Sequence, residues 1–134
     1  MEHLDVIIVG AGISGISAAV HLGKACPERS VGILERRENI GGTWDLFKYP
    51  GIRSDSDMHT LGFSFKPWKA GKSIADGPSI MQYLDETVDE YQLQDSIRFS
   101  HKVVVAEWCS ADARWVLTVD QGEEQKQMSS NFLF

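Results

Sequence analysis

The run DVIIVGAGISG, residues 5–15, constrains this chain more than any other stretch of it. Asp5 to Val9 is short, β-branched and apolar, the pattern of a strand buried on both faces in a parallel sheet. It passes without a spacer into Gly10-Ala11-Gly12-Ile13-Ser14-Gly15, a G-x-G-x-x-G. From Ser14 to Leu22 the apolar Ile16 and Val20 and the small Ala18 and Ala19 fit a helix, and Cys26-Pro27 limits its extension. Val31 to Leu34 predicts a second strand, and Glu35 at its end lies twenty residues beyond Gly15. Glycine triplets alone occur by chance in any loop. Strand, glycine turn, helix, strand and acid in this order make the fingerprint of a dinucleotide-binding unit.

Each part has a mechanical reason. Gly10 permits the tight turn, Gly12 lets the backbone approach a pyrophosphate, and Gly15 lets the helix pack closely on the strand. The helix N-terminus adds free N–H groups and a positive dipole, and Ser14 is placed to add a hydroxyl or backbone contact. Glu35 would accept hydrogen bonds from both ribose hydroxyls and would repel a 2′-phosphate, which disfavours NADP in this site although Arg36 and Arg37 follow. FAD and NAD both satisfy these residues.

The segment ENIGGTWDLFKYPGIRSDSD, residues 38–57, favours FAD. In a plain NAD dehydrogenase the second strand leads into another helix within a few residues, whereas here about forty residues without a helical or strand period intervene. Gly41 and Gly42 would permit close backbone approach to a ligand. Thr43, Trp44, Asp45 and Leu46 then offer a hydroxyl, a flat aromatic, a carboxylate and an apolar wall. That series suits an elongated ligand continuing past the pyrophosphate.

Gly10 to Gly15, Glu35, Gly42-Thr43-Trp44 and Tyr49 to Asp55 resemble the N-terminal flavin-binding region of the Baeyer-Villiger monooxygenases, within the flavin-containing monooxygenase group. The wording GGTWDLFKYPGIRSDSDMHTLGF is most similar to the ethionamide-activating subgroup. The resemblance implies an α/β, Rossmann-like FAD-binding domain: a parallel sheet with flanking helices and a small β-meander. It implies FAD reduced by NADPH, with O2 bound as a C4a-peroxyflavin and one oxygen delivered to a small ketone or sulfur-containing substrate. By position, Ser14 and Glu35 would hold the pyrophosphate and adenosine ribose, Thr43 to Leu46 the middle of FAD, and Asp55 the region near the flavin ring. Arg53, Ser54 and Asp55 would border the nicotinamide cofactor, and Val103 would meet the adenine through its backbone. No catalytic residue is assigned, because the family's F-x-G-x-x-x-H signature and its oxygenation arginine are not found in residues 1–134. The expectation is a partial FAD-binding domain over 1–134, truncated at its C-terminal end, with the NADPH-binding domain absent and the isolated chain inactive. The alternatives are a fragment of another two-dinucleotide flavoprotein and a non-catalytic FAD-binding module. A disulfide reductase should carry a redox cysteine pair soon after Glu35, and there is none.

Composition bounds the rest. A chain of 134 residues with 43% hydrophobic content suits one domain with a real core. A net charge of -6 disfavours nucleic acid and anionic membranes. Cys26, Cys109 and the four histidines show no metal-ligand spacing, so no metal is expected, and the cysteines read as reduced and partly buried. With no signal peptide or membrane span legible, the expected location is the cytoplasm. Asp76-Gly77-Pro78 predicts a helix start, with Ile80, Met81, Leu84, Val88 and Tyr91 at helical spacing. Ile97 to Phe99 reads as a short strand, and Val103–Trp108 and Arg114–Val119 as a hairpin about Ser-Ala-Asp-Ala, with a third arm after Gly122. Asn131 to Phe134 reads as the first residues of a separate strand returning to the sheet. Lys66, Lys69 and Lys72, around Trp68, read as solvated, and Tyr83, Trp108 and Trp115 as packing residues.

Overall fold

Val6, Ile7 and Ile8 are all buried, so the first strand does have two covered faces. A computed structural model describes residues 1–134. Strand β1, Glu2–Val9, feeds helix α1, Ile13–Ala25, which returns to β2, Val31–Leu34, parallel to β1 in the register Val6 to Val31 and Val9 to Leu34. After the second strand come two short helices, α2 (Thr43–Leu46) and α3 (Met58–Leu61), then α4, Gly77–Glu90. The remaining strands are β3 (Ile97–Arg98), β4 (Lys102–Cys109), β5 (Arg114–Gln121) and β6 (Glu124–Leu133). One six-stranded sheet results, in the order β3-β2-β1-β6-β5-β4.

The two faces of this sheet are covered differently. Ile8 and Ile33 point into a core shared with Ile16 and Val20 of α1 and Ile80 and Leu84 of α4. Ile7 and Leu34 belong instead to a second core with Leu117, Val119 and Met128, supplied by the meander. Both long helices therefore contribute to one core, and the β-meander covers the other. Burying each of these aliphatic side chains is worth about 1.5–3 kcal/mol. Cutting any of them to alanine leaves a cavity that its surroundings close only in part.

The expected third arm and the expected returning strand are one element. β6 runs ten residues, pairs antiparallel with β5 from Gln121–Glu124 to Trp115–Ser130, and pairs parallel with β1 from Glu2–Met128 to Ile7–Leu133. The strand expected to stop after about four residues is thus an internal strand, and the meander is continuous with the parallel sheet. The physical reason is that β6 takes its register from two neighbours at once. The amide of Phe134 continues the ladder to Ile7 O at 3.0 Å, and that of Val9 donates to Phe134 O at 2.9 Å.

The long excursion after β2 is packed across α4. Phe63 stacks on Phe65 and Tyr83, and Trp68 meets Tyr83 edge-on, with ring centroids 4.7–5.3 Å apart. Trp68 is buried and donates its indole N–H to Lys72 O at 2.9 Å. Lys66, expected in solvent, instead pairs with Glu90 at 2.7 Å and Glu86 at 3.6 Å, its aliphatic stem covering the aromatic cluster. Lys69 and Lys72 are exposed as expected. Of the remaining aromatics, Trp108 meets Trp115 edge-on at 5.6 Å and keeps 49% of its surface in solvent. Cys26 and Cys109 are both free and half-buried.

Several carboxylates bind the fold together at its edges. Arg98 forks onto Glu2 at 2.7 and 2.6 Å, joining β3 to the start of β1, and its hydrogen bonds hold the Glu2 carboxyl below the usual range. Asp57 caps α3 through the Thr60 N–H, and Asp76 caps α4 through Ser79; these bonds lower both carboxyls as well. A carboxylate lowered in the folded state contributes stability that is complete above the unfolded carboxylate range, about 4, and is lost as pH falls through the lowered folded values. Asp85, raised by burial, acts in the opposite sense, one carboxylate against the four, Glu2, Asp5, Asp57 and Asp76, whose hydrogen bonds lower them. The melting temperature should hold between pH 7 and 5 and fall at pH 3. An unchanged melting temperature at pH 3 would show that these carboxylates are not held as described.

Candidate cofactor site

Where β1 ends, Gly10 turns with φ 101, a conformation that side-chain-bearing residues rarely adopt, and its N–H donates to Leu34 O at 2.8 Å. The chain then enters α1 with Gly12 as N-cap and no side chain on the first amides. Ile16 N–H is bonded to Gly12 O at 3.0 Å, so by helix geometry the amides of Ile13, Ser14 and Gly15 have no partner within the helix. Ser14 is exposed beside them. A Cβ on Gly15 would overlap the carbonyl oxygen of Gly10 and crowd Ile8 Cγ2 at 3.3 Å. The packing role expected of the third glycine is therefore met by backbone against backbone.

Glu35, at the end of β2, is 6% exposed. Its Oε2 accepts the Ala11 N–H at 2.8 Å and its Oε1 accepts the Arg37 N–H at 3.2 Å. Each carboxylate oxygen retains a second lone pair, so the group can still accept from ligand hydroxyls. The sequence predicts only a ribose acceptor here; the folded chain also uses Glu35 to tie the glycine loop to β2.

The second glycine pair lies against the first motif. Gly41 donates its N–H to Ala11 O at 2.9 Å, and a Cβ on Gly42 would stand 3.4 Å from the Cα of Gly12. A Cβ on Gly41, which has φ 110, would overlap the sulfur of Met81 on α4. The space at Gly41 thus serves close approach of α4, and that at Gly42 close approach of the glycine loop. Both were expected to serve approach of a ligand.

The other expected site residues divide into groups. Trp44, Asp45 and Arg53 line a cleft of about 970 Å³ with Tyr49, Lys72 and Met81, whereas Ser14 lines a different one, about 640 Å³, with His21 and Phe134. Thr43 and Leu46 are exposed on α2, and Trp44 packs half-buried against the helical core. Asp45 is buried, with Oδ2 3.1 Å from Arg37 Nη1 and Oδ1 3.4 Å from Lys48 Nζ. Residues 52–54 zip onto 75–77: Ser54 N–H donates to Ala75 O at 2.8 Å, the Ser54 hydroxyl accepts the Ala75 N–H at 3.2 Å, and Arg53 bridges Asp76. Ser54 is consequently buried, while Arg53 and Asp55 on either side face solvent. Val103 sits near the start of the edge strand β4, half-buried in the second core. It follows His101 by two residues, and the His101 N–H donates to Glu35 O at 2.9 Å. Sequence reasoning missed Arg37 as a structural partner, since nothing local pairs it with a residue eight positions on.

The donor set suits a dinucleotide: unpartnered amides at α1, a backbone cradle that side chains would fill, and an acid at the second strand's end. The description of the NAD(P)-binding Rossmann-like domain family matches residues 8–87, more than half of the chain.

The chain belongs to that family.

Among curated proteins it is 62% identical over 132 residues to the FAD-containing monooxygenase EthA of Mycolicibacterium smegmatis, a match covering 98% of this chain and 27% of that protein. Among solved structures it superposes on oxidized steroid monooxygenase bound to NADP with a TM-score of 0.87 and 31% identity, over 98% of this chain and 25% of the other. The open form of cyclohexanone monooxygenase gives a TM-score of 0.86 at 26% identity, over 99% and 26%. This Rossmann-like unit is thus similar along nearly its whole length to flavin-dependent monooxygenases, and it spans about a quarter of the length of the relatives it matches. None of its helices is long and apolar enough to cross a membrane, and no three His, Cys, Asp or Glu side chains are grouped to hold a metal ion.

Proposed function

We propose that residues 1–134 are the FAD-binding part of an NADPH- and O2-dependent flavoprotein monooxygenase that oxygenates small ketones or sulfur compounds in the cytoplasm. In this reading the chain is a partial FAD-binding domain, and the NADPH-binding domain lies outside these residues. The observation that carries it is the junction of the two glycine segments, Gly41 N–H on Ala11 O, beside a buried Glu35. A plain nicotinamide site needs the first segment alone. The extent of similarity to FAD-containing monooxygenase EthA supports the same choice.

The free amides of α1 and the backbone at Gly12, with Ser14, bind the pyrophosphate; Glu35 binds the adenosine ribose; and the backbone near Val103 borders the adenine. Thr43 to Leu46 accompany the middle of the ligand, Asp55 stands at its flavin end, and Arg53, Ser54 and Asp55 border the nicotinamide. Bound FAD supplies the redox chemistry, accepting hydride from the nicotinamide and passing electrons to O2. The protein's share is to orient, and hydride transfer needs both rings held face to face.

The chain should bind FAD in preference to NAD and NADP, and should not oxidise NADPH with a ketone or thioether present. Equilibrium dialysis against the three nucleotides, followed by a 340 nm assay, measures both. Tightest binding of NADP would overturn the cofactor assignment, and NADPH-dependent ester or sulfoxide formation by the pure chain would overturn its role as a part.

A further inference from the structure

The side chain of Asp45, in the segment proposed to lie beside the middle of FAD, is 6% exposed, and its nearest charge is the Arg37 guanidinium, 3.1 Å away. Neither Arg37 Nη1 nor Asp45 Oδ2 has an aligned hydrogen bond, and both atoms are shut off from solvent. A pair made of a buried carboxylate and a half-buried guanidinium, without hydrogen-bond satisfaction, is weak evidence for stability, and apolar residues of similar volume often do as well or better. Its position gives it another use.

The pair closes a circuit of contacts through the site. Ala11 N–H donates to Glu35 Oε2 at 2.8 Å; Arg37 N–H donates to Glu35 Oε1 at 3.2 Å; Arg37 Nη1 meets Asp45 Oδ2 at 3.1 Å. Asp45 N–H then donates to Gly42 O at 3.1 Å, and Gly41 N–H returns to Ala11 O at 2.9 Å. All but one of these links involve backbone atoms held by β2, the glycine loop or α2. The Arg37–Asp45 contact is the only link made by two side chains.

We propose that Arg37 and Asp45 are a positioning pair, which sets α2 and the Gly42 turn relative to the ribose end of the site and acts on the flavin half of the ligand through that turn. The proposal rests on the FAD reading. Lys48, just after α2 and with its side chain 72% exposed, reaches the other oxygen of Asp45 at 3.4 Å and cannot replace the link, because it has no tie to Glu35. The glycine loop keeps its own anchors, Glu35 on Ala11 and Gly10 on Leu34, when the pair is cut. The adenosine diphosphate half should therefore bind almost as before, while FAD, which also needs the Gly42 turn in place, should not.

The test measures dissociation constants of FAD and of ADP for the full chain and for Arg37→Gln, Asp45→Asn and the double variant. Each single variant should weaken FAD about tenfold and ADP by less than about twofold, and the double variant should lose no more FAD affinity than the weaker-binding single, because the two residues act as one unit. Equal losses of FAD and ADP, additive losses in the double variant, or unchanged FAD binding in all three would each overturn the pair's role. A parent chain that binds ADP but gains nothing from the flavin half would instead sink the FAD reading. If a single variant melts early, the double variant, which leaves no unpaired buried charge, still reads the ratio.

Discussion

Gly15→Ala is expected to abolish nucleotide binding and to remove most of the domain's stability. The added methyl would stand inside the carbonyl oxygen of Gly10 and against Ile8 Cγ2, and neither can yield cheaply. Gly10 is fixed by its φ of 101 and by its bond to Leu34 O, and Ile8 is wholly buried in the helical core. Relief requires α1 to move away from β1, which opens the core around Ile16 and Val20 and displaces the free amides at the start of α1, the proposed pyrophosphate donors. Overpacking against a side chain costs about 1–3 kcal/mol. Against backbone the cost should exceed about 3 kcal/mol, from a margin typically of about 5–15. Gly23 is the control within the same helix: a Cβ there meets nothing within 4 Å, so Gly23→Ala should raise stability by about 0.5–1 kcal/mol through helix propensity alone. Denaturant melts of the two variants beside the parent chain decide the matter. If Gly15→Ala melts within about 1 kcal/mol of the parent, the close approach of helix and strand is not as described.

The contrast between these two glycines shows what a sequence can carry. Gly10 to Gly15, β1, α1 and β2 were legible because their signals are local: a β-branched run, a glycine turn, a helical spacing and an acid at a fixed distance. α4 was legible from Asp76-Gly77-Pro78 and the apolar spacing after it, and the hairpin from its turn. β6 was not legible as one strand. Its residues EQKQMSSN carry little hydrophobic alternation, and Ser129 and Ser130 are buried only because β1 and β5 close on either side of them. The four-residue α2 was missed for a related reason, since it is too short to show a period and is held by Gly42 carbonyl bonds and by Asp45. At the candidate site, the protein contacts of the residues were not legible. Ser54 and Asp45 turn inward onto protein partners, and Gly41 makes room for Met81, a residue forty positions away that no motif connects to it.

Glu35 carries the other large expectation, because its carboxylate holds the glycine loop and, in the proposed reading, also binds the ribose. Its oxygens accept the amides of Ala11, which is fully buried, and of Arg37, so Glu35→Ala leaves two donors without partners. Each unsatisfied donor costs about 1–3 kcal/mol where water cannot reach it, and the glycine loop loses its tether to β2. In the proposed reading the same substitution also removes charge-assisted bonds to the ribose, worth about 1.5–3 kcal/mol, or roughly ten- to a hundredfold in affinity. Glu35→Gln separates the two contributions. It keeps one carbonyl oxygen for one amide, places an NH2 against the other, and ends the repulsion of a 2′-phosphate, so it should melt between Glu35→Ala and the parent. It should also narrow the gap between FAD and NADP binding, because Arg36 is exposed at the same strand end and free to meet an added phosphate. Calorimetric melts and dialysis with both nucleotides read the two effects on the same samples. An alanine variant that keeps the parent's melting temperature would remove the tether, and a glutamine variant that discriminates against NADP as strongly as the parent would place the ribose away from Glu35.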